Sequence, residues 1–138
     1  MSQENVEIVQ AGLAAWNAGD MDAIRERYDP NVIIVRGLEG WPEPAPVVGR
    51  DAVVGQFERV REAFDTDTVE PISFIDAADR VVVRQRWSGA GHGPESQMEF
   101  TVIYTLRKGK VFLVEYFWDH TEALEAVGLS EHDAHAES

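Results

Sequence analysis

The sequence contains no cysteine, which excludes disulfides, thiolate zinc sites and a cysteine nucleophile together. Lysine is nearly absent as well: ten of the 12 basic residues are arginine, set against 25 acids for a formal charge of −13. Nucleic acids and anionic membranes are bound chiefly through clustered Lys and Arg, so neither is an expected partner. No stretch approaches the roughly 18 apolar residues of a membrane span, and residues 1–5 carry no basic group or long apolar run. A soluble, cytoplasmic protein is expected.

What remains is a chain of 138 residues, 44% of them hydrophobic. That length suits one domain with a substantial core. The charge is uneven: residues 1–24 hold four acids and no Lys or Arg, residues 115–138 hold seven and none, and the middle has 14 acids against 12 bases. The acidity therefore belongs to the two ends.

Val6, Val9, Leu13 and Trp16 recur on one face of a 3.6-residue period, and Gly19 stops that helix. Asp20 caps a short second helix with Met21, Ile24 and Tyr28 on its inner face, ended by Asp29-Pro30. Val32-Ile33-Ile34-Val35 is a β-branched run without polar interruption and reads as a short strand covered on both faces. The loop 37–49 contains Trp41-Pro42-Glu43-Pro44-Ala45-Pro46, which suits neither helix nor sheet interior and should lie over the surface. Asp51 begins a third helix carrying Val53, Phe57, Val60 and Phe64. Strand-like stretches 69–76, 80–88, 97–107 and 110–118 follow, joined by short turns that make neighbours antiparallel. Asp119 caps a last helix closed by Gly128, and residues 130–138 read as a disordered acidic tail beyond a domain spanning 1–129. Helices first and a meander afterwards is an α+β layout.

Within this layout, Ala14-Ala15-Trp16-Asn17-Ala18-Gly19-Asp20-Met21-Asp22-Ala23-Ile24, Tyr28-Asp29-Pro30-Asn31-Val32, Gly49-Arg50-Asp51-Ala52-Val53 and Gly109-Lys110-Val111 through Glu115-Tyr116-Phe117-Trp118-Asp119 resemble the SnoaL-like branch of the nuclear transport factor 2-like superfamily. The resemblance implies a cone-shaped α+β barrel, with a curved, mainly antiparallel sheet wrapped around N-terminal helices, a pocket inside and a homodimer paired through the outer sheet face. Its members include ketosteroid isomerases, polyketide cyclases, epoxide hydrolases and non-enzymes, so residues must choose among them. The isomerase's first-helix tyrosine falls on Gly12 and its carboxylate base on Arg36, and neither side chain can do that chemistry. The limonene-epoxide hydrolase pattern places Glu115 at a catalytic carboxylate and Arg86 at its arginine, but puts Ser88 where a second carboxylate is needed.

Alternation also singles out Glu115, flanked by Leu113 and Phe117 on one strand face. Two readings stand: an acid or base in a partly dry pocket, or an ion pair with Arg84 or Arg86. In the first, Arg86 stabilises an oxyanion with Arg84 or Arg36 as helpers; in the second, the arginines lie on a solvated outer face. Trp16, Tyr28, Trp41, Tyr104 and Phe117 are candidates to wall a ligand cavity, Trp41 as lid or dimer contact. His92 reads as an exposed hairpin tip and His120 as a helix-entry surface residue, while His132 and His135 in the tail make a poor metal pair. The expected activity is binding of a small apolar or carbonyl-bearing molecule, with isomerase, cyclase or hydrolase chemistry open; the alternative is a non-catalytic ligand-binding or dimeric interaction module. No cofactor or metal is implied.

Overall fold

The computed structural model of the protein describes residues 2–41, 43–91 and 94–129. Among them four helices and six strands form in the order α1 (Ser2–Ala18), α2 (Met21–Arg27), β1 (Tyr28–Arg36), β2 (Val47–Val48), α3 (Arg50–Ala63), β3 (Thr66–Ala77), β4 (Arg80–Ala90), β5 (Ser96–Arg107), β6 (Lys110–Phe117) and α4 (His120–Ala126). None of these helices is long and apolar enough to cross a membrane. His92, His132, His135 and the acidic tail 130–138 lie outside the described residues.

Local chemistry sets the boundaries. Gly19 closes α1 at φ +71°, a left-handed conformation that disfavours a side chain. The Asp20 carboxylate then accepts from Ala23 N at 3.0 Å to start α2. Asp119 does the same for α4, accepting from the amides of Thr121 and Glu122. Helix α3 starts one residue earlier than its sequence suggests: Gly49 is its N-cap and supplies no side-chain bond. Asp51 sits in the first turn, where its charge suits the helix dipole and pairs with Arg25 at 2.6 Å.

The strands form an open, curved sheet in the order β2-β1-β6-β5-β4-β3. Its pairings are antiparallel except that of β1 with β6, which is parallel and places Tyr28 opposite Val111. Its two faces carry separate cores. The concave face packs on α1, α2 and α3 through Val9, Ile24, Val32, Ile34, Val53, Phe57, Val81, Val83, Val102 and Val114, all buried. The convex face is covered at one end by α4, where Ile75, Val82, Ile103 and Phe117 bury against Ala123 and Leu124. Each such side chain taken fully out of water contributes about 1.5–3 kcal/mol before entropy is counted. Three local expectations change. Tyr28 opens β1 instead of lying on the inner face of α2, Val47–Val48 within the loop form the short strand β2, and the Val32–Val35 run is covered on one face only, because Val35 and neighbouring Val48 are 47% and 63% exposed on the side α4 does not reach.

Candidate functional site

The concave face and the helices across it enclose a cavity of about 130 Å³, close to the roughly 150 Å³ of an apolar cavity that accepts a benzene ring. Helix α1 contributes Ile8, Val9, Gly12, Leu13 and Trp16, one stripe of its surface. Helix α3 adds Gln56, Phe57 and Val60, and the sheet adds Tyr28, Ile34, Val69, Gln85, Trp87, Phe100, Tyr104, Val111 and Tyr116. The loop between β1 and β2 lies at the rim, where Leu38, Trp41, Glu43 and Ala45 line the cavity. Glu43 is ion-paired with Arg59 of α3, and Trp118 Nε1 donates to Glu39 O at 2.9 Å. The loop is therefore tied to both sides of the cone.

Its walls are held from behind by Asp67. That carboxylate is buried, accepts from Trp16 Nε1 at 2.9 Å and Trp87 Nε1 at 3.0 Å, and pairs with Arg61 Nε at 3.2 Å. One acid thus fixes two indoles that face the cavity from different elements. Alongside, the Asn17 side chain bonds both N and O of Val69, at 2.7 and 2.9 Å, pinning β3 to the end of α1.

The cavity's polar groups are phenols and amides. All three tyrosines of the sequence, Tyr28, Tyr104 and Tyr116, line it. Burial pushes the Tyr104 hydroxyl up to about 12, opposed by the hydrogen bond from Gln85 Nε2 at 3.4 Å. Burial likewise drives Tyr116 and Tyr28 upward, reinforced for both by Tyr104 and for Tyr28 also by Tyr116. These phenols stay protonated at physiological pH and act as hydrogen-bond donors, not bases. Among the described residues Glu43 is the one charged side chain on the cavity wall.

Of the residues singled out from sequence, Trp16, Tyr28, Trp41 and Tyr104 line the cavity. Glu115, Arg86, Arg84, Arg36 and Phe117 do not, which corrects their expected placement. Arg84 and Arg86 do share a face, but it is the convex one: Arg84 Nε binds Glu99 at 2.8 Å, and Arg86 reaches Glu70 and Glu99 at 3.3 and 3.5 Å. The ion pairs expected for Glu115 are therefore made by Glu99 and Glu70. Glu115 stands beside Ile103 and Arg36 in register, on the same side as Phe117. Arg36 binds Glu122 at 2.7 Å with its guanidinium 4.2 Å over the Phe117 ring. Phe117 is buried beneath α4. His120 Nδ1 lies 2.9 Å from Thr101 Oγ1 on this outer side.

Gln56, Gln85, Trp87 and Tyr116 line the cavity without having been singled out. Gln85 had a signal: it alternates with Val81, Val83 and Trp87, a lone amide in an otherwise apolar face. Gly12, the position aligned with the isomerase tyrosine, does face the cone.

The profile of the SnoaL-like domain matches residues 9–114. Among solved structures, Bal32a from a soil-derived mobile gene cassette is 24% identical with a TM-score of 0.78, covering 86% of this chain and 92% of its own. A SnoaL-like polyketide cyclase, so described, from Jannaschia sp. CCS1 is 23% identical at TM-score 0.72, covering 84% and 85%. An LEH-like epoxide hydrolase from M. tuberculosis is 12% identical at TM-score 0.72, covering 99% and 90%. At these identities the likeness is one of fold. No curated protein matches the sequence.

Proposed function

This chain belongs to the SnoaL-like domain family, and from that premise we propose that its cone binds a small, uncharged, largely apolar organic molecule. The observation that carries the reading is the wall itself: apolar and aromatic side chains with a few neutral polar groups among them, the usual makeup of a small-molecule site. Proteins of like fold named as a polyketide cyclase and an epoxide hydrolase favour a small organic ligand. The acid–base chemistry considered for Glu115 and Arg86 is not part of the proposal, because neither reaches the cavity.

Gly12 provides the test. A Cβ built there meets nothing within 4 Å, so Gly12→Phe fills the cone from a helix that gains stability on losing a glycine. A thermal-shift panel of terpenoids and aromatic ketones should stabilise the wild type, by about 2.7 kcal/mol for a ligand at 100 times its Kd, and leave Gly12→Phe unmoved. Equal shifts in both proteins would remove the cone as the binding site.

We also propose that the convex face pairs with a second copy of the chain. Exposed Val35 and Val48 adjoin Ile33 and Leu113 on β1 and β6. Farther across the sheet, on β3, β4 and β5, Arg84, Arg86, Glu70 and Glu99 alternate in sign, a pattern that suits an isologous interface.

A further inference from the structure

We infer that the cone recognises its occupant through an uncharged acceptor oxygen, a carbonyl, placed against the hydroxyls of Tyr28 and Tyr104 with the Gln56 amide beside them, and that Gln85 is a positioning residue acting through Tyr104. This rests on the binding reading above and narrows its ligand class.

Tyr28 and Gln56 are only 7% and 8% exposed, and both line the cavity. Neither side chain makes a hydrogen bond to another described residue. Buried polar groups are normally satisfied, and leaving one unmade is unfavourable. Neither group is sealed inside protein, since the one sealed side-chain donor without a partner among the described residues is Arg50 Nε. Both residues line the cavity, so an occupant there is the natural partner for their unused hydrogen-bonding capacity.

Tyr104 adds direction. Its oxygen accepts from Gln85, which is 2% exposed and fixed among Val81, Val83 and Trp87 on β4. A phenol that accepts from an amide keeps its own proton to donate. With the phenols held neutral by burial, the described residues that line the cavity present hydroxyl donors and no cation. Arg36, Arg84 and Arg86 lie on the convex side, Arg59 is engaged by Glu43, and Arg61 by Asp67. A carboxylate entering this space would lose hydration without a counter-charge and would pass Glu43 at the rim. A hydrocarbon would leave the phenols unmatched. An uncharged ketone, ester or lactone of one or two rings meets both conditions.

Three probes of one shape separate the cases: 1-tetralone, its hydrocarbon parent tetralin, and tetralin-1-carboxylate. Calorimetry on the wild type should show tetralone bound roughly tenfold more tightly than tetralin, the gain of well-placed hydrogen bonds, and the carboxylate most weakly. Tyr28→Phe and Tyr104→Phe should each erase most of that preference, read as the ratio of tetralone to tetralin affinity within each variant. The infrared carbonyl stretch of bound tetralone should fall on entering the wild-type cone, and Gln85→Met should reduce that shift, which a purely structural role would not. Equal affinity for tetralone and tetralin, or an unshifted carbonyl, overturns the inference and leaves the binding reading standing. Failure of tetralone and tetralin alike to bind, with Gly12→Phe indistinguishable from wild type, overturns both. Should a phenylalanine variant fail to fold, the wild-type affinity ratio and carbonyl shift still decide.

Discussion

Asp67 shows how a single side chain governs the shape of the cavity. Its carboxylate serves two indoles and a guanidinium from a position whose side chain is 1% exposed. Removing one partner of a buried charge pair typically costs about 3–5 kcal/mol. Asp67→Ala should lower stability by that order in urea unfolding, and Asp67→Asn, which keeps an acceptor for the indoles, by less; equal effects would show that only the charge matters. The tyrosines make a second residue-scale prediction. A free phenol ionises near pH 10, whereas Tyr104 is held up to about 12. The native state therefore keeps a proton that the unfolded chain loses, so this contribution to stability is fully present below about pH 10 and is lost as pH rises through about 12. Because all three tyrosines line the cone, native protein at about pH 10.5 should show little tyrosinate absorbance while unfolded protein shows most of it. A phenol half-ionised near pH 10 in the native state would contradict the burial described.

Elements explain which parts of the site were legible. Period-two alternation placed Arg84 and Arg86 on one face of β4, as found, but alternation does not say which face is concave. Apolar neighbours did not help: α4 gives the convex side its own core of Ile75, Val82, Ile103 and Phe117, so Leu113 and Phe117 around Glu115 pointed outward as readily as inward. A bulge added to the difficulty. The β5–β6 register shifts between Thr105 and Leu106, moving from Leu113 to Val111. Val111 consequently faces the cavity while Leu113 and Glu115 face away, although all three share parity in the sequence. The helices were easier because their capping signals, Asp20 and Asp119, are local. Gly89 on β4 carries a prediction at this scale. A Cβ there would fall 2.4 Å from the Trp87 ring and 3.0 Å from Phe64. Those rings are already stacked edge to face at 4.8 Å. Gly89→Ala should therefore destabilise by about 1–3 kcal/mol through overpacking, read as a fall in the urea midpoint. An unchanged midpoint would mean that the indole can move at little cost.

For the whole molecule, the α+β class and the order of the helices and long strands followed from the chain, and the cone from the resemblance, because both depend on patterns repeated over many residues. The proposed pairing of copies depends on surface residues, which period alone does not single out. Val48→Glu puts an acid on the most exposed large apolar side chain among the described residues, at 63%, and should shift sedimentation velocity from dimer to monomer while leaving the circular dichroism spectrum unchanged. A wild type that already sediments as a monomer would dispose of the second copy. The parallel partnership of β1 with β6 has a consequence in time. It joins Tyr28 to Val111, about 80 residues apart, whereas β3 to β6 zip together through successive neighbours. Closing so long a loop is entropically costly, and contacts distant in sequence slow folding. The meander is thus free to assemble early, and the cavity, which needs both Tyr28 and Val111, comes into being only when the two ends of the chain meet. A ligand of the cone then has no early intermediate to bind, and should slow unfolding rather than hasten folding.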